Sequence, residues 1–134
     1  MVRVLAIDFG EKRIGLAISS EDGKIAFHYK TIQNTSFEKA IKEIQEIVKH
    51  ENVKRAVFGL PLTLKSKESE STGRAREFFT RLKKTVSIPV VLVDERFSTK
   101  RARKNLSFKK VPKEAVDQEA ARILLEDYLR RNSK

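Results

Sequence analysis

Three short apolar segments open the chain, joined by connections too brief to carry it across a sheet. Val2 to Ile7 is aliphatic and β-branched and stops at Asp8-Phe9-Gly10. Arg13 to Ser19 follows after only Glu11 and Lys12. Glu21-Asp22-Gly23-Lys24 then supplies turn chemistry before an imperfectly alternating segment from about Ile25 to Ile32. Parallel neighbours need a crossover of a dozen or more residues, so these three strands must form an antiparallel meander.

Helical spacing then takes over and alternates with strands. Thr35 is expected to cap a helix, with Glu38 completing a capping box and Phe37, Ala40, Ile41, Ile44, Ile47 and Val48 forming its apolar stripe. Arg55 to Leu60 reads as a strand stopped by Pro61. Leu62 to Gly73 is polar and is expected to be an exposed loop. A helix from about Thr72 to Thr85 would turn Ala75, Phe78, Phe79 and Leu82 inward. Pro89 opens a strand, Val90 to Val93, that stops at Asp94-Glu95-Arg96. Ser98 is placed to cap a short basic helix, and Pro112 precedes an amphipathic helix from about Lys113 to Arg131. The order β-β-β-α-β-α-β-α-α predicts an α/β fold in one domain over residues 1–134. Its mixed sheet would have a meander of strands 1–3, then parallel strands, with helices on its faces.

Composition narrows the class. The chain has 134 residues, 40% hydrophobic and 35% charged, with no cysteine, which excludes a disulfide scaffold and a thiolate metal site. No apolar run approaches the roughly 20 residues of a membrane span, and the first residues lack a secretory pattern. A cytoplasmic location without membrane contact is expected. Lys plus Arg number 29 against 18 Asp plus Glu, a formal charge of +11. Excess positive charge of this size recruits polyanions, nucleic acid above all.

Three acidic positions resist a purely structural explanation. Asp8 ends one apolar strand, and Asp94 with Glu95 ends another, where sites collect in open sheets. Asp is also a common turn former, so each alone has an ordinary explanation. Asp117 shares a helix face with Ala120, Ala121, Leu124 and Tyr128. A carboxylate on that core-facing stripe is costly unless a cation or several donors compensate it. Favourable interaction with the helix dipole is the competing explanation. Acids converging from two strand ends and a helix would make an all-oxygen cage suited to Mg²⁺ or Mn²⁺, with two ions once substrate is bound. Lys12, Arg13, Arg96, Lys100, Arg101, Arg103 and Lys104 are candidate nucleic-acid contacts, and Lys109 and Lys110 extend that cluster. Of the two lysine–arginine neighbours, Arg13 is the one expected to point outward from its strand. Gly10 and Gly15 suit tight turns, Gly15 as part of a plain hairpin. His28 and His50 have no ligand set at the usual spacing and read as surface or satisfied residues.

Asp8-Phe-Gly-Glu-Lys-Arg-Ile-Gly-Leu-Ala17, Gly59-Leu-Pro61, Asp94-Glu-Arg-Phe-Ser-Thr99 and Asp117 with Ala120-Ala121 together resemble the YqgF/RuvX family. That family is described as candidate Holliday junction resolvases and pre-16S ribosomal RNA nucleases on a ribonuclease H-like fold. The resemblance spans essentially the whole chain. It implies a five-stranded mixed sheet with the acidic site at the edge of strand 1. It also implies Asp8, Glu95 and Asp117 as catalytic and metal-holding acids, with Asp94 as substitute. The wider superfamily carries an acid at the end of the fourth strand, where this chain has Gly59-Leu60-Pro61. The expected activity is metal-dependent cleavage of structured nucleic acid, either at the 5′ end of pre-16S rRNA or at a four-way DNA junction. A monomer suffices for the first, whereas a homodimer is needed for the second. The class-distinct alternative is a non-catalytic nucleic-acid- or nucleotide-binding module. The Asp-x-Gly hairpin also resembles the phosphate loop of actin- and hexokinase-like ATPases, although no Walker loop is present.

Overall fold

The central strand of the sheet is the first one in the chain. In the computed structural model, which describes residues 2–60, 70–94 and 112–132, β1 (Val4–Asp8), β2 (Arg13–Ser19) and β3 (Ala26–Gln33) form the expected antiparallel meander. β4 (Arg55–Leu60) lies parallel to β1 on its other side, and β5 (Val90–Asp94) lies parallel to β4. The five strands are ordered β3-β2-β1-β4-β5. Three helices among the described residues complete the fold: α1 (Phe37–His50), α2 (Glu70–Thr85) and α3 (Lys113–Arg131).

Strand and helix limits differ from expectation in small, explicable ways. β1 begins at Val4 and takes in Asp8, because Asp8 still pairs with Gly15 and Gly59. The imperfect alternation of β3 has its cause in a register shift at Leu16/Ala17 of the partner strand. The cap of α1 is Ser36, not Thr35: Ser36 has extended backbone, and its Oγ accepts from the Lys39 N–H. Counted from Ser36, the third helical position is Lys39, so no capping box with Glu38 forms. α2 starts at Glu70, before the expected Thr72, and residues 62–69 of the expected loop lie outside the described set. The short basic helix expected after Ser98 lies outside it as well.

Period-two alternation divides β1 between two cores. Leu5 and Ile7 join Ile14, Leu16, Phe58 and Leu60 under α1 and α2, where Ile41, Ile44, Ala75, Phe78 and Leu82 close the layer. Val4 and Ala6 face the other way and pack with Ala17, Val57, Ala121, Leu124 and Leu125 beneath α3. Ala6 and Ala17 on the sheet and Ala121 on the helix are the small members of this second interface, and they let α3 lie close to the sheet. Asp8 continues the Val4–Ala6 series and therefore belongs to the α3 face.

Candidate active site

Strand register puts Asp8 in the middle of a transverse row. Gly15 on β2 and Gly59 on β4 are its direct partners, and Thr31 on β3 and Val93 on β5 extend the row. Glycine on both sides leaves Asp8 without a side chain on either of its direct ladder partners. Gly59 belongs to the Gly59-Leu60-Pro61 stretch that stands where the wider superfamily carries an acid. Here it places no side chain beside Asp8.

Asp117 is seated on the same row from above. A Cβ built on Gly15 would overlap the Asp117 carbonyl oxygen and come within 2.9 Å of the Asp117 Cβ. Gly15 is thus a mid-strand residue that admits α3, not part of a hairpin turn as its sequence context suggests. The turn glycine is Gly10, where a Cβ would overlap the carbonyl oxygen of Arg13. Asn34 fixes that turn from just past the end of β3: its Nδ2 donates to the Gly10 carbonyl at 2.9 Å and its N–H to the Lys12 carbonyl at 2.9 Å.

The electrostatics of the pair are asymmetric. The Asp8 carboxyl is buried and meets no hydrogen-bond donor among the described residues. Loss of hydration is the main cause pushing its pKa up to about 8, and the negative charge of Asp117 adds to it. Asp117 itself is only partly buried, and its Oδ2 accepts from Nε of Arg13 at 2.9 Å. Arg13 lies two residues from Gly15 on β2 and faces α3, so it does not alternate outward. Lys12, next to it, is exposed on the turn.

Two acids therefore meet where the sequence placed them, while the third expected acid, Glu95, lies outside the described residues. Asp94 ends β5 and pairs through its backbone with Leu60; its side chain is outside the described set. So are Arg96, Lys100, Arg101, Arg103 and Lys104. Among the described residues no cluster of three acids or histidines is arranged around an ion. The donors that are present nevertheless suit a hard divalent cation. They are oxygens only, they adjoin one another, and one is a buried carboxyl that meets no hydrogen-bond donor among the described residues.

A second buried acid was not legible as such. Glu119, two residues beyond Asp117 on α3, accepts from Nε of Arg122 at 2.6 Å and from Nη2 at 2.9 Å. His28 Nε2 lies 2.6 Å from the same carboxylate, so His28 is a satisfied residue, as expected. Glu119–Arg122 resembles any solvated i,i+3 pair in the sequence. Only the pairing of β3 against α3 buries it.

The chain matches, over residues 2–131, the model of a family described as RuvX: Holliday junction resolvase. A candidate pre-16S rRNA nuclease of Maridesulfovibrio salexigens is 40% identical over 97% of this chain and 99% of its own. One from Sulfurihydrogenibium sp. is 39% identical over 99% and 93%. The fold is shared with Thermus thermophilus RuvC in complex with a Holliday junction substrate, at TM-score 0.64 and 14% identity over 99% of this chain and 96% of that one. It is also shared with the fowlpox virus resolvase bound to Holliday junction DNA, at TM-score 0.61 and 10% identity over 99% and 100%. A five-stranded mixed sheet with an acid at the end of its central strand is the ribonuclease H-like arrangement, and by its sequence over nearly its full length the chain belongs to the RuvX family.

Proposed function

We propose that the protein is a divalent-metal-dependent nuclease of structured nucleic acid, trimming the 5′ end of pre-16S rRNA in the cytoplasm. The observation that carries this reading is the Asp8–Asp117 pair: a buried carboxyl beside a second acid, with side-chain-free Gly15 and Gly59 as the ladder partners of Asp8. The names of the relatives support the RNA substrate. Basic residues in the segment after Glu95 support a polyanion: Arg96, Lys100, Arg101, Arg103, Lys104, Lys109 and Lys110 occur there with no acid among them.

Asp8, Glu95 and Asp117 would hold Mg²⁺ or Mn²⁺, whose chemistry there is to ionise a water and to neutralise charge on the leaving oxygen. Asp8 would hold the ion in its ionised form as the rigid, central donor, since β1 is paired on both edges. Asp117 approaches from a separate helix and sets the width of the site through its seat on Gly15. Lys12, and the basic residues from Arg96 to Lys104, would grip flanking phosphates without reading bases.

The second reading, resolution of four-way DNA junctions, is favoured by the family's description and requires a two-fold homodimer. One experiment separates the readings. Cleavage of a pre-16S leader RNA and of a synthetic four-way DNA junction is followed across Mg²⁺ and Mn²⁺ titrations, with Asp117→Asn as control. Metal-dependent cutting of the RNA that is lost in the variant is expected. Faster cutting of the junction, by a dimer in sedimentation, selects the second reading. Cleavage that survives both EDTA and Asp117→Asn overturns the site.

A further inference from the structure

The ion pair between Arg13 and Asp117 joins residues 104 positions apart, and it uses a single guanidinium nitrogen, Nε, at 2.9 Å from Oδ2. Among the described residues no other acceptor engages Arg13, so both terminal nitrogens have no partner among them. The two partners are held independently of the bond between them. Asp117 rests on Gly15 through its backbone, and Arg13 follows a turn closed on Gly10 and tied down by Asn34. Each side chain is about a quarter exposed, 24% for Arg13 and 23% for Asp117, so both can rearrange without opening the core.

A carboxylate already paired with a guanidinium is a poorer ligand, and a divalent ion arriving at Asp117 would lie against a fixed positive charge. We propose that Arg13 is the resident counter-cation of the site: it holds Asp117 while the protein is metal-free, surrenders it to the incoming divalent ion, and turns its free fork to a phosphate of the bound strand. The proposal rests on the nuclease reading above and makes Arg13 a positioning residue for Asp117. Guanidinium and metal exchange at one carboxylate. Phosphate takes up the displaced cation, so metal and nucleic acid favour each other's binding by the same factor. The terminal nitrogens suit this role, because a planar fork matches two phosphate oxygens.

Calorimetric Mn²⁺ titration of the full chain, without substrate, tests the exchange. Arg13→Gln should bind Mn²⁺ about tenfold more tightly than wild type, whereas Lys12→Gln, which removes an exposed neighbouring charge, should leave the affinity unchanged. Unchanged or weaker binding by Arg13→Gln with a native near-UV spectrum overturns the proposal, as does equal tightening by Lys12→Gln. If Arg13→Gln does not fold, Arg13→Lys replaces it. Its flexible ammonium should tighten Mn²⁺ binding two- to threefold, about a third of a decade or more, and no change again overturns the proposal. The hand-over is read separately, from binding of a fluorescein-labelled RNA hairpin in Ca²⁺. Arg13→Gln should make the log–log salt slope shallower by about one, and an unchanged slope refutes that step. Asp117→Asn keeps the underlying reading distinguishable. If that variant binds Mn²⁺ as wild type does, the metal site itself is wrongly assigned. If it loses Mn²⁺ while Arg13→Gln gains nothing, only the role of Arg13 falls.

Discussion

Asp8 and Gly15 face each other across the β1–β2 ladder, and the space that Gly15 leaves is filled by the backbone of Asp117. The contact is between main chain and main chain, so neither side can yield by rotating a side chain. Gly15→Ala should therefore lift the start of α3 from β2. The expected cost is about 1–3 kcal/mol of stability, with cleavage lower by on the order of a hundredfold from misplacement of Asp117. Thermal unfolding and single-turnover cleavage of the leader RNA measure the two effects. A variant with wild-type turnover would show that Asp117 does not need this seat.

Burial of Asp8 couples protonation to folding. Its pKa rises from 3.8 to about 8 in the native state, so between those values the native protein binds more protons than the unfolded chain. The contribution is fully present below pH 3.8 and is lost as pH rises towards 8, by at most about 1.4 kcal/mol per pH unit. Asp8→Asn carries no such proton. In EDTA, the melting temperature of Asp8→Asn relative to wild type should climb from pH 5 to pH 8.5, even though the variant no longer cleaves. Parallel curves for the two proteins would contradict a buried, uncompensated Asp8.

The basic segment predicts a salt signature. Changing Lys100, Arg101, Arg103 and Lys104 together to Gln should weaken hairpin binding. It should also make its log–log salt slope shallower by about three to four on a double-stranded stem. Base substitutions in the stem should leave that change intact, because phosphate contacts carry no sequence information. A slope equal to that of wild type would move the interface elsewhere.

Glu119 tests the structural role of the second buried acid. Glu119→Gln keeps the shape but breaks the two-point bond to Arg122 and the contact with His28. A loss of about 1–3 kcal/mol is expected, read by urea unfolding. Cleavage below the melting transition should stay near wild type, since Asp117 is held by Gly15 and Arg13. A collapse of activity without loss of stability would bring Glu119 into the reaction.

Much of this architecture is written locally. Pro112 and the helical spacing beyond it gave α3 its observed limits, and Leu60-Pro61 marked the end of β4. Asp8 and Asp117 stood out because a carboxylate on an apolar face contradicts the rule that buries apolar groups. What stayed hidden depends on contacts distant in the chain. Thr35 and Ser36 are both competent caps, and only the backbone path chooses between them. Arg13 lies on a strand whose outward and inward faces are assigned by α3, at the far end of the sequence. Gly15 looks like a turn residue until a helix occupies the space above it. Gly59, read as a missing acid, becomes informative only through its register with Asp8.

Asp8 and Phe9 are consecutive, yet one belongs to the acidic face and the other packs against Phe78, Phe37 and Phe58 at ring distances of 5.0, 5.9 and 6.2 Å. Sliding β1 by one residue would drive the carboxyl into that aromatic nest and strand the ring among charges. Misaligned sheets are thus penalised twice, once for the acid and once for the ring. Chemistry and folding proofread each other at a single peptide bond.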